Sequence, residues 1–558
     1  MAVQQGSFVS NLRGKREKHR QAISITGASK ESFALALQTA LDFIRKTHGD
    51  PTRDKAAGSA ICSVLSSAIA DTASTSGGGD DNELSIAAKR WTSYVADVLA
   101  ASKHPDDPKY SHLEWTKSLL VELSPSAMTR ALASQPPPKA VARVLQIVRN
   151  RLYDAEKYPP LRVAVLGGAE TEGQGCDIAS VPLPEGSIMA NPTYCSWPYR
   201  FEQLVNNLAG GVKLVEVTNL AEDGTDTAFM TPLLRNWIYP QSLLPHGPDI
   251  IINAYTSKDY SSYGAVSVKD TEKNEMEAFI SGVEGSNPCG DPPLIVHLDD
   301  SADGAAAATV GADHVLSLQY NTPMTKVIKT DKATKTVPSH LPFGMAGHLA
   351  LSWMLTFALG DMALHHCSSA QSKTPVAPAV MESKCKDSDA VDAQGRCVFA
   401  FFAGPMGTVT RPNQIQQYVA PYVVENTGWQ ATTDMSTGFS RKSGLVAVEP
   451  EAKIVFQFKD IAKEIRYVNL MTLKSNADEW KDGRAKFSLL VNDKKAGSKD
   501  WLETSFEIEG GHESPTHITY HFGFDLKANT AKMGSDVIFR IESVGTASFK
   551  ILGIMLCS

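Results

Sequence analysis

One stretch near the middle of the chain constrains the fold more than any other. Residues 161–175, LRVAVLGGAETEGQG, begin as a short apolar run and continue into glycine-rich polar sequence. Such a run is typical of a strand buried on both faces, and the glycines that follow favour a tight turn at its carboxyl end. This stretch therefore predicts the first strand of a buried parallel sheet.

Further apolar runs follow this stretch, separated by sequence with helical periodicity. The predicted strands are Arg162–Gly167, Val212–Val217, Asp249–Tyr255, Pro293–Leu298 and His314–Leu318. The predicted helices are Pro198–Leu208, Asp226–Leu234, Asp270–Ile280 and Gly344–Ala363. Strands that alternate with helices form a parallel sheet covered by helices on both faces, so the predicted fold class is α/β. In such sheets, sites form beyond the carboxyl ends of the strands.

The chain has 558 residues, which is too long for one ordinary core. Periodicity divides it into an α-helical region at 1–155, the α/β domain at 156–367, a linker at 368–395 and a jelly-roll-like β-sandwich domain at 396–558. In the first region, apolar faces recur at helical spacing in Glu31–Thr47, Leu84–Ala101 and Val141–Leu152.

Beyond Val398 the apolar pattern has a period of about two, which is typical of strands with one buried face. The predicted strands here are Lys453–Phe458, Ile465–Leu473, Phe487–Val491, Thr516–Phe522, Asp536–Ile541 and Ser548–Leu556. Short strands with glycine, asparagine and aspartate between them favour an antiparallel sandwich. Trp429, Trp480 and Trp501 lie in this region, either as buried anchors or as sugar-stacking platforms.

Charge and hydropathy exclude some partners. The formal net charge of -7 argues against general nucleic-acid binding. The most apolar segment, His348–Ala363, is too short and too polar for a transmembrane span, so we expect a core helix.

The first residues carry no secretory h-region, and the chain has no N-x-S/T acceptor with a non-proline middle residue. A cytoplasmic or organellar location is favoured over secretion, although the compartment stays open.

None of the eight cysteines has metal-ligand spacing, and we predict neither a metal nor a cofactor. Cys176 with Cys195, and Cys385 with Cys397, are candidate disulfides for an oxidising compartment. Cys176 follows the glycine-rich turn, where a structural thiol or this bridge is favoured over a reactive thiolate.

Short motifs follow the predicted strands in a fixed order. LGGAETEG spans 166–173, NLAEDGT spans Asn219–Thr225, TSKD spans Thr256–Asp259, and VPSH spans Val337–His340 before the last helix. With YCSWPYRFEQL at 194–204, these blocks resemble the SGNH/GDSL hydrolase superfamily, and more closely a group of algal-type proteins within it. The resemblance implies a flavodoxin-like α/β/α domain.

The resemblance also assigns roles to positions of this chain. The nucleophile position is Ala169, the triad acid position is Val337, and the histidine is His340. The oxyanion-hole positions are Ala169, Gly224 and Lys258, where the family has an asparagine. Acyl transfer through serine needs a hydroxyl, a histidine to activate it and an acid to orient the histidine. The pattern therefore predicts that esterase catalysis has been lost and that the protein has a binding or structural role.

Alternatives remain open at this stage. The chain could be an active or an engineered-inactive SGNH esterase or acyl hydrolase that acts on an acylated carbohydrate or another ester. Changes at three positions favour natural loss, because a deliberate knockout needs only the serine replaced. Ser257 beside Lys258 could form a catalytic serine–lysine pair, although a surface role is favoured.

The candidate pocket rim consists of residues near the motifs and just after the predicted strands. The candidate rim residues are Glu170, Ser257, Asp259, Asp299 and Asp300. Asp299 and Asp300 could form an acid–base dyad or bind a cation, although solvated caps of the next loop are favoured. The family and the jelly-roll outline imply a carbohydrate or ester ligand. The helical and β-domains offer surface for a protein partner or a homo-oligomer.

Overall fold

The structure is a computed structural model of the chain. It describes residues 131–134, 138–173, 196–209, 212–244, 246–255, 268–287, 292–299, 315–319, 345–370, 395–404, 411–433, 442–492, 501–512, 518–545 and 547–558. The predicted helices Glu31–Thr47 and Leu84–Ala101 lie outside the described residues.

The first sheet is largely parallel. Its strands are β1 Leu132–Ser134, β2 Leu161–Gly167, β3 Val215–Asn219, β4 Ile250–Ala254, β5 Leu294–Asp299 and β6 Val315–Gln319. The spatial order is β1-β6-β5-β4-β2-β3, and β2 to β6 pair in parallel. Counted from β2, the parallel strands have the order 2-1-3-4-5, which is a doubly wound arrangement with a switch point beside the first strand. The α/β prediction is confirmed.

Helices cover both faces of this sheet. They are α1 Pro138–Tyr153, α2 Ala169–Glu172, α3 Trp197–Leu208, α4 Thr227–Arg235, α5 Val268–Glu284 and α6 Met345–Ala370. Side chains alternate along β2, so Val163 packs with α1, α3 and α6, while Ala164 packs with α4 and α5. The apolar segment inside α6 is a core helix, as expected. Among the described helices, none is long and apolar enough to cross a membrane.

The α/β layer includes residues on the amino-terminal side of position 156. Helix α1 confirms the helix predicted at Val141–Leu152 and buries Val141 and Val144 against the sheet. Within the region expected to be helical, the short strand β1 pairs antiparallel with β6 and was not predicted. Three residues carry too little periodicity to identify such a strand, since its hydrogen-bond partners lie far away in sequence.

The carboxy-terminal region is a β-sandwich, as predicted. Its strands are β7 Cys397–Phe402, β8 Val423–Thr427, β9 Trp429–Thr433, β10 Ser443–Ala447, β11 Lys453–Phe458, β12 Tyr467–Lys474, β13 Arg484–Asn492, β14 Leu502–Glu509, β15 Ile518–Asp525, β16 Asp536–Ser543 and β17 Lys550–Cys557, with helix α7 Pro412–Val419. One antiparallel sheet has the order β15-β12-β17-β10-β9 with β7 also paired to β17, and the other has the order β14-β13-β16-β11-β8.

The sandwich packs directly on the α/β layer. Helices α4 and α5 lie between the parallel sheet and the sandwich sheet that contains β17. The Phe229 and Phe402 rings are 5.2 Å apart across this contact, and the amide of Arg396 donates to the Asn236 carbonyl at 2.9 Å. Gly395 has a φ of +53°, and a Cβ there would overlap the Asn236 carbonyl oxygen. Only glycine allows this close approach.

A disulfide joins the first and last strands of the sandwich. Cys397 on β7 is bonded to Cys557 on β17, because these strands pair side by side. The candidate pairing of Cys385 with Cys397 is therefore wrong. Cys176, Cys195 and Cys385 lie outside the described residues.

Candidate functional site

The turn after β2 and the loop after β3 pack against each other at the carboxyl edge of the parallel sheet. Ala169 is the first residue of α2, and its side chain is 4% exposed. The amide of Glu222 donates to the Gly167 carbonyl at 2.9 Å, and the Asn219 side chain donates to the Thr171 carbonyl at 3.0 Å. The first two blocks are thus neighbours, and the residue at position 169 offers only a methyl group.

Two of the other predicted site residues, Glu170 and Asp299, lie in the helix after β2 and at the end of β5, respectively. Glu170 is partly exposed next to Ala169 in α2. Asp299 ends β5, and only its backbone is described. Outside the described residues lie Ser257, Lys258, Asp259, Asp300, Val337 and His340. Their convergence at this edge stays a prediction.

Gly224, a predicted oxyanion position, contacts the sandwich. Its φ is +72°, a conformation that favours glycine, and its carbonyl accepts a hydrogen bond from the amide of Thr519 in β15 at 2.9 Å. Next to it, the Thr225 hydroxyl donates to the Glu222 carbonyl at 2.6 Å and lies 2.9 Å from the Tyr255 hydroxyl, just after β4. The loop after β3 is therefore held on both sides.

Two carboxyl groups are buried at this contact. Glu172 is 8% exposed, and its Oε2 accepts a hydrogen bond from the amide of Asp223 at 3.0 Å. Glu222 is 5% exposed, and its Oε2 has no hydrogen-bond partner among the described residues. A Cβ built on Gly404, just beyond β7, would overlap this oxygen. The absence of a side chain at Gly404 leaves the space that the Glu222 carboxyl group occupies.

A lysine from the sandwich faces these carboxyl groups. Lys442 precedes β10 and is 6% exposed, and its Nζ donates to the Thr519 hydroxyl at 2.6 Å. The Lys550 Nζ donates in turn to the Lys442 carbonyl at 2.5 Å. We call this contact the carboxylate seam, and it consists of Glu172, Glu222, Asp223, Gly224, Lys442 and Thr519.

Burial changes the proton affinity of both glutamates. Burial, together with the nearby Glu222 charge, raises the pKa of Glu172 to about 8. Burial also raises the pKa of Glu222 to about 7, although the positive charge of Lys442 acts in the opposite direction. Both groups are therefore protonated in mild acid and ionise around neutral pH.

Sequence reasoning missed these two glutamates and the lysine. Glu172 and Glu222 lie in the blocks that follow β2 and β3, so an acidic side chain after each of two successive strands was the available signal. Lys442 had no local signal, because its position depends on how the sandwich docks. Within the described ranges, no group of three or more His, Cys, Asp or Glu side chains could hold a metal ion.

The buried His348 has a structural role near the start of α6. The His348 Nδ1 accepts a hydrogen bond from the amide of Trp197 at 3.1 Å, and the Ser352 hydroxyl lies 3.1 Å from the Trp197 carbonyl. These bonds attach the amino terminus of α3 to α6. Because Nδ1 accepts this bond, it carries no proton, and a neutral ring has its proton on Nε2.

No protein-family model matches the chain, and no curated protein is significantly similar to it. Solved structures do match about a quarter of the chain. A carbohydrate-binding module specific for non-crystalline cellulose has 13% identity and a TM-score of 0.17, over 25% of this chain and 94% of the module. A xylan-binding module has 21% identity and a TM-score of 0.15, over 24% and 94% of the two chains. CBM35 from Paenibacillus barcinonensis has 12% identity and a TM-score of 0.16, over 24% and 91%. Similarity at this level does not identify a ligand.

Proposed function

We propose that this chain is a non-catalytic protein built on an SGNH-like α/β/α layer, with the sandwich docked over part of the old catalytic edge. The observation that carries the proposal is the residue at position 169. It opens the short helix after β2, where the SGNH resemblance places the nucleophile, and it is a buried alanine. Acyl transfer through a covalent intermediate needs an attacking atom, and a methyl group has none.

Two further observations support the proposal. The strand order 2-1-3-4-5 and the hydrogen bond from Glu222 to Gly167 are what the resemblance leads us to expect of adjacent blocks. The Gly224 carbonyl is bound by Thr519 of the sandwich, so the loop that would supply an oxyanion donor serves as a contact between two parts of the protein. A binding or assembly role is compatible with a carboxyl edge of the parallel sheet that contacts the sandwich.

The ligand class that we propose is a carbohydrate, from the family resemblance and the jelly-roll outline. Trp429 and Trp480 are buried in the core, as favoured from the sequence, whereas Trp501, immediately before β14, is 37% exposed. A stacking contact with a sugar ring would therefore use Trp501. Isothermal titration with soluble xylan and cello-oligosaccharides should show binding that Trp501→Ala weakens at least tenfold, by about 1.4 kcal/mol. Unchanged binding in that variant would exclude this platform.

Catalysis is tested separately. The full-length protein is incubated with p-nitrophenyl acetate and with a fluorophosphonate probe, and a known serine esterase is the positive control. We expect no hydrolysis above that of heat-denatured protein and no added mass. Stoichiometric labelling of one residue would refute the proposal and favour an active hydrolase.

Two variants separate natural loss from a single engineered change. Ala169→Ser alone restores activity if only the nucleophile was removed. We expect it to stay inactive, because Lys258 and Val337 also depart from the family pattern. The triple variant A169S/K258N/V337D rebuilds each family position, and we expect the probe to label the serine introduced at position 169 in this variant only. Absence of labelling in a folded triple variant would count against the SGNH assignment.

A further inference from the structure

The carboxylate seam links the α/β layer to the sandwich through successive polar contacts. On the α/β side, the Glu172 carboxyl group holds the amide of Asp223, and the Gly224 carbonyl follows directly along the loop. On the sandwich side, Thr519 donates its amide proton to Gly224 and accepts a bond from Lys442. The loop after β3 is thus held by a carboxyl group from one side and by an edge strand from the other.

The charges at this contact do not balance in every protonation state. In the part of the chain that the structure describes, the charged groups that act on the two glutamates are Asp223 beside them, Lys442 from the segment before β10 and, for Glu172, the neighbouring Glu222. Around them, Lys550 of β17 donates to the Lys442 backbone, and Asp226 accepts the Phe229 amide at the start of α4. When both glutamates ionise, two buried carboxylates and Asp223 face the ammonium of Lys442, which is the positive charge that acts on both glutamates among the described residues.

Ionisation at this buried position is costly for two reasons. Glu222 Oε2 has no hydrogen-bond partner among the described residues, so a negative charge on it would be poorly solvated. The Glu172 carboxylate would also lie close to that of Glu222, and like charges in a buried site repel. Separating the two surfaces would return both groups to water.

We propose that the carboxylate seam is a pH-dependent latch between the α/β layer and the sandwich, closed when Glu172 and Glu222 are protonated and looser when they ionise. Loosening exposes the loop after β3 at the carboxyl edge of the sheet, where ligands of α/β proteins bind. The latch does not depend on whether the chain has lost catalysis, since it rests on the seam alone.

The direction of the pH effect on opening follows from the difference in pKa between the closed and the open seam. The pKa values of Glu172 and Glu222 are about 8 and about 7 in the closed seam, and 4.5 is the ordinary value. In the open state the two carboxyl groups have the lower, ordinary pKa, so they release their protons more readily than in the closed seam. Rising pH therefore favours opening between the ordinary pKa and the pKa of each group in the closed seam. Within this window each carboxyl group increases the opening constant by about tenfold per pH unit. Above about pH 8 the dependence ends.

Hydrogen exchange of the full chain between about pH 5 and about pH 8 tests the latch. After correction for intrinsic exchange, the amides of Asp223 and Thr519 should lose protection as pH rises, by up to about tenfold per unit for each carboxyl group. Glu172→Gln should reduce this slope, since its side chain does not titrate. Glu425→Gln, at an exposed position of β8, is the matched control and should behave as wild type. Equal slopes in wild type and Glu172→Gln would overturn the proposal.

Infrared spectroscopy keeps the test decisive if a seam variant does not fold. In the wild-type protein, the carbonyl stretch of protonated carboxyl groups should persist at about pH 6 and disappear with midpoints near 7 and 8. Loss of the whole band below about pH 5 would overturn the proposal, because carboxyl groups at their ordinary pKa values titrate in that range. Neither measurement uses hydrolysis or sugar binding, so failure of the latch is distinguishable from failure of the proposed function.

Discussion

The amide of Thr519, in the edge strand β15, donates a hydrogen bond of 2.9 Å to the carbonyl of Gly224, in the loop after β3. This bond pairs an outward-facing amide of an edge strand, which would otherwise be open to another chain. It also holds a loop at the carboxyl edge of the parallel sheet. The sandwich is therefore part of the environment of the candidate site.

Replacing the cation of the carboxylate seam should destabilise the protein in a pH-dependent way. At about pH 7, where Glu222 is partly ionised in the closed seam, Lys442→Met removes the positive partner of this buried carboxylate, and we expect a loss of about 3 kcal/mol in the free energy of unfolding. At about pH 5 the carboxyl groups are protonated and mainly the hydrogen bond to Thr519 is lost, at a cost of about 1 kcal/mol. Urea denaturation at both pH values measures the difference.

The matched control is Lys453→Met. Lys453 pairs with Glu425 at 3.0 Å on a partly exposed face of the sandwich, where an ion pair contributes less than about 1 kcal/mol. An equal loss for Lys442→Met at both pH values would contradict the assigned role of the lysine.

Aromatic packing should couple the two parts of the protein. Phe229 of α4 and Phe402 of β7 are fully buried, with ring centroids 5.2 Å apart. Phe229→Ala should lower the free energy of unfolding by about 3–5 kcal/mol, because it leaves a cavity in the shared core. A double-mutant cycle with Phe402→Ala should give a coupling energy of about 0.5–1.5 kcal/mol. Strict additivity would mean that the rings do not interact.

The disulfide should account for a measurable part of the stability of the sandwich. The Cys397–Cys557 bridge spans 160 residues, so it restricts the unfolded chain strongly. Reduction, or the variant Cys397→Ala with Cys557→Ala, should lower the free energy of unfolding by about 2–5 kcal/mol. Guanidinium denaturation with and without dithiothreitol measures this, and the double variant should not respond to the reductant. Non-reducing peptide mapping that recovers a Cys385–Cys397 peptide instead would contradict the pairing.

The amino-terminal boundary of the α/β layer can be tested by truncation. A chain that begins at residue 156 lacks β1 and α1, and so exposes the sheet surface that Val141 and Val144 cover. It also loses the contact of 3.4 Å between Arg143 and the buried carboxylate of Asp249. We expect this chain to aggregate or to melt well below a chain that begins at residue 131. Equal melting temperatures would show that α1 is dispensable.

Elements with strong local periodicity could be predicted from the sequence. Strand β2 begins one residue before its predicted start, and α4 is displaced by one residue, because apolar runs and helical spacing are local signals. Strand β14 was not predicted, since its residues are mostly exposed and carry little apolar alternation. Strand β7 was missed for the opposite reason, because burial on both faces removes the alternation.

The sequence by itself determined which residue types follow the strands of the parallel sheet. It placed alanine at position 169, glycine at 224 and the two glutamates of the carboxylate seam beside them. Only the tertiary structure decided that Lys442 faces those glutamates and that Cys557 is the partner of Cys397. The physical reason is that these contacts depend on strand pairing and on docking of the sandwich, which bring together side chains distant in sequence.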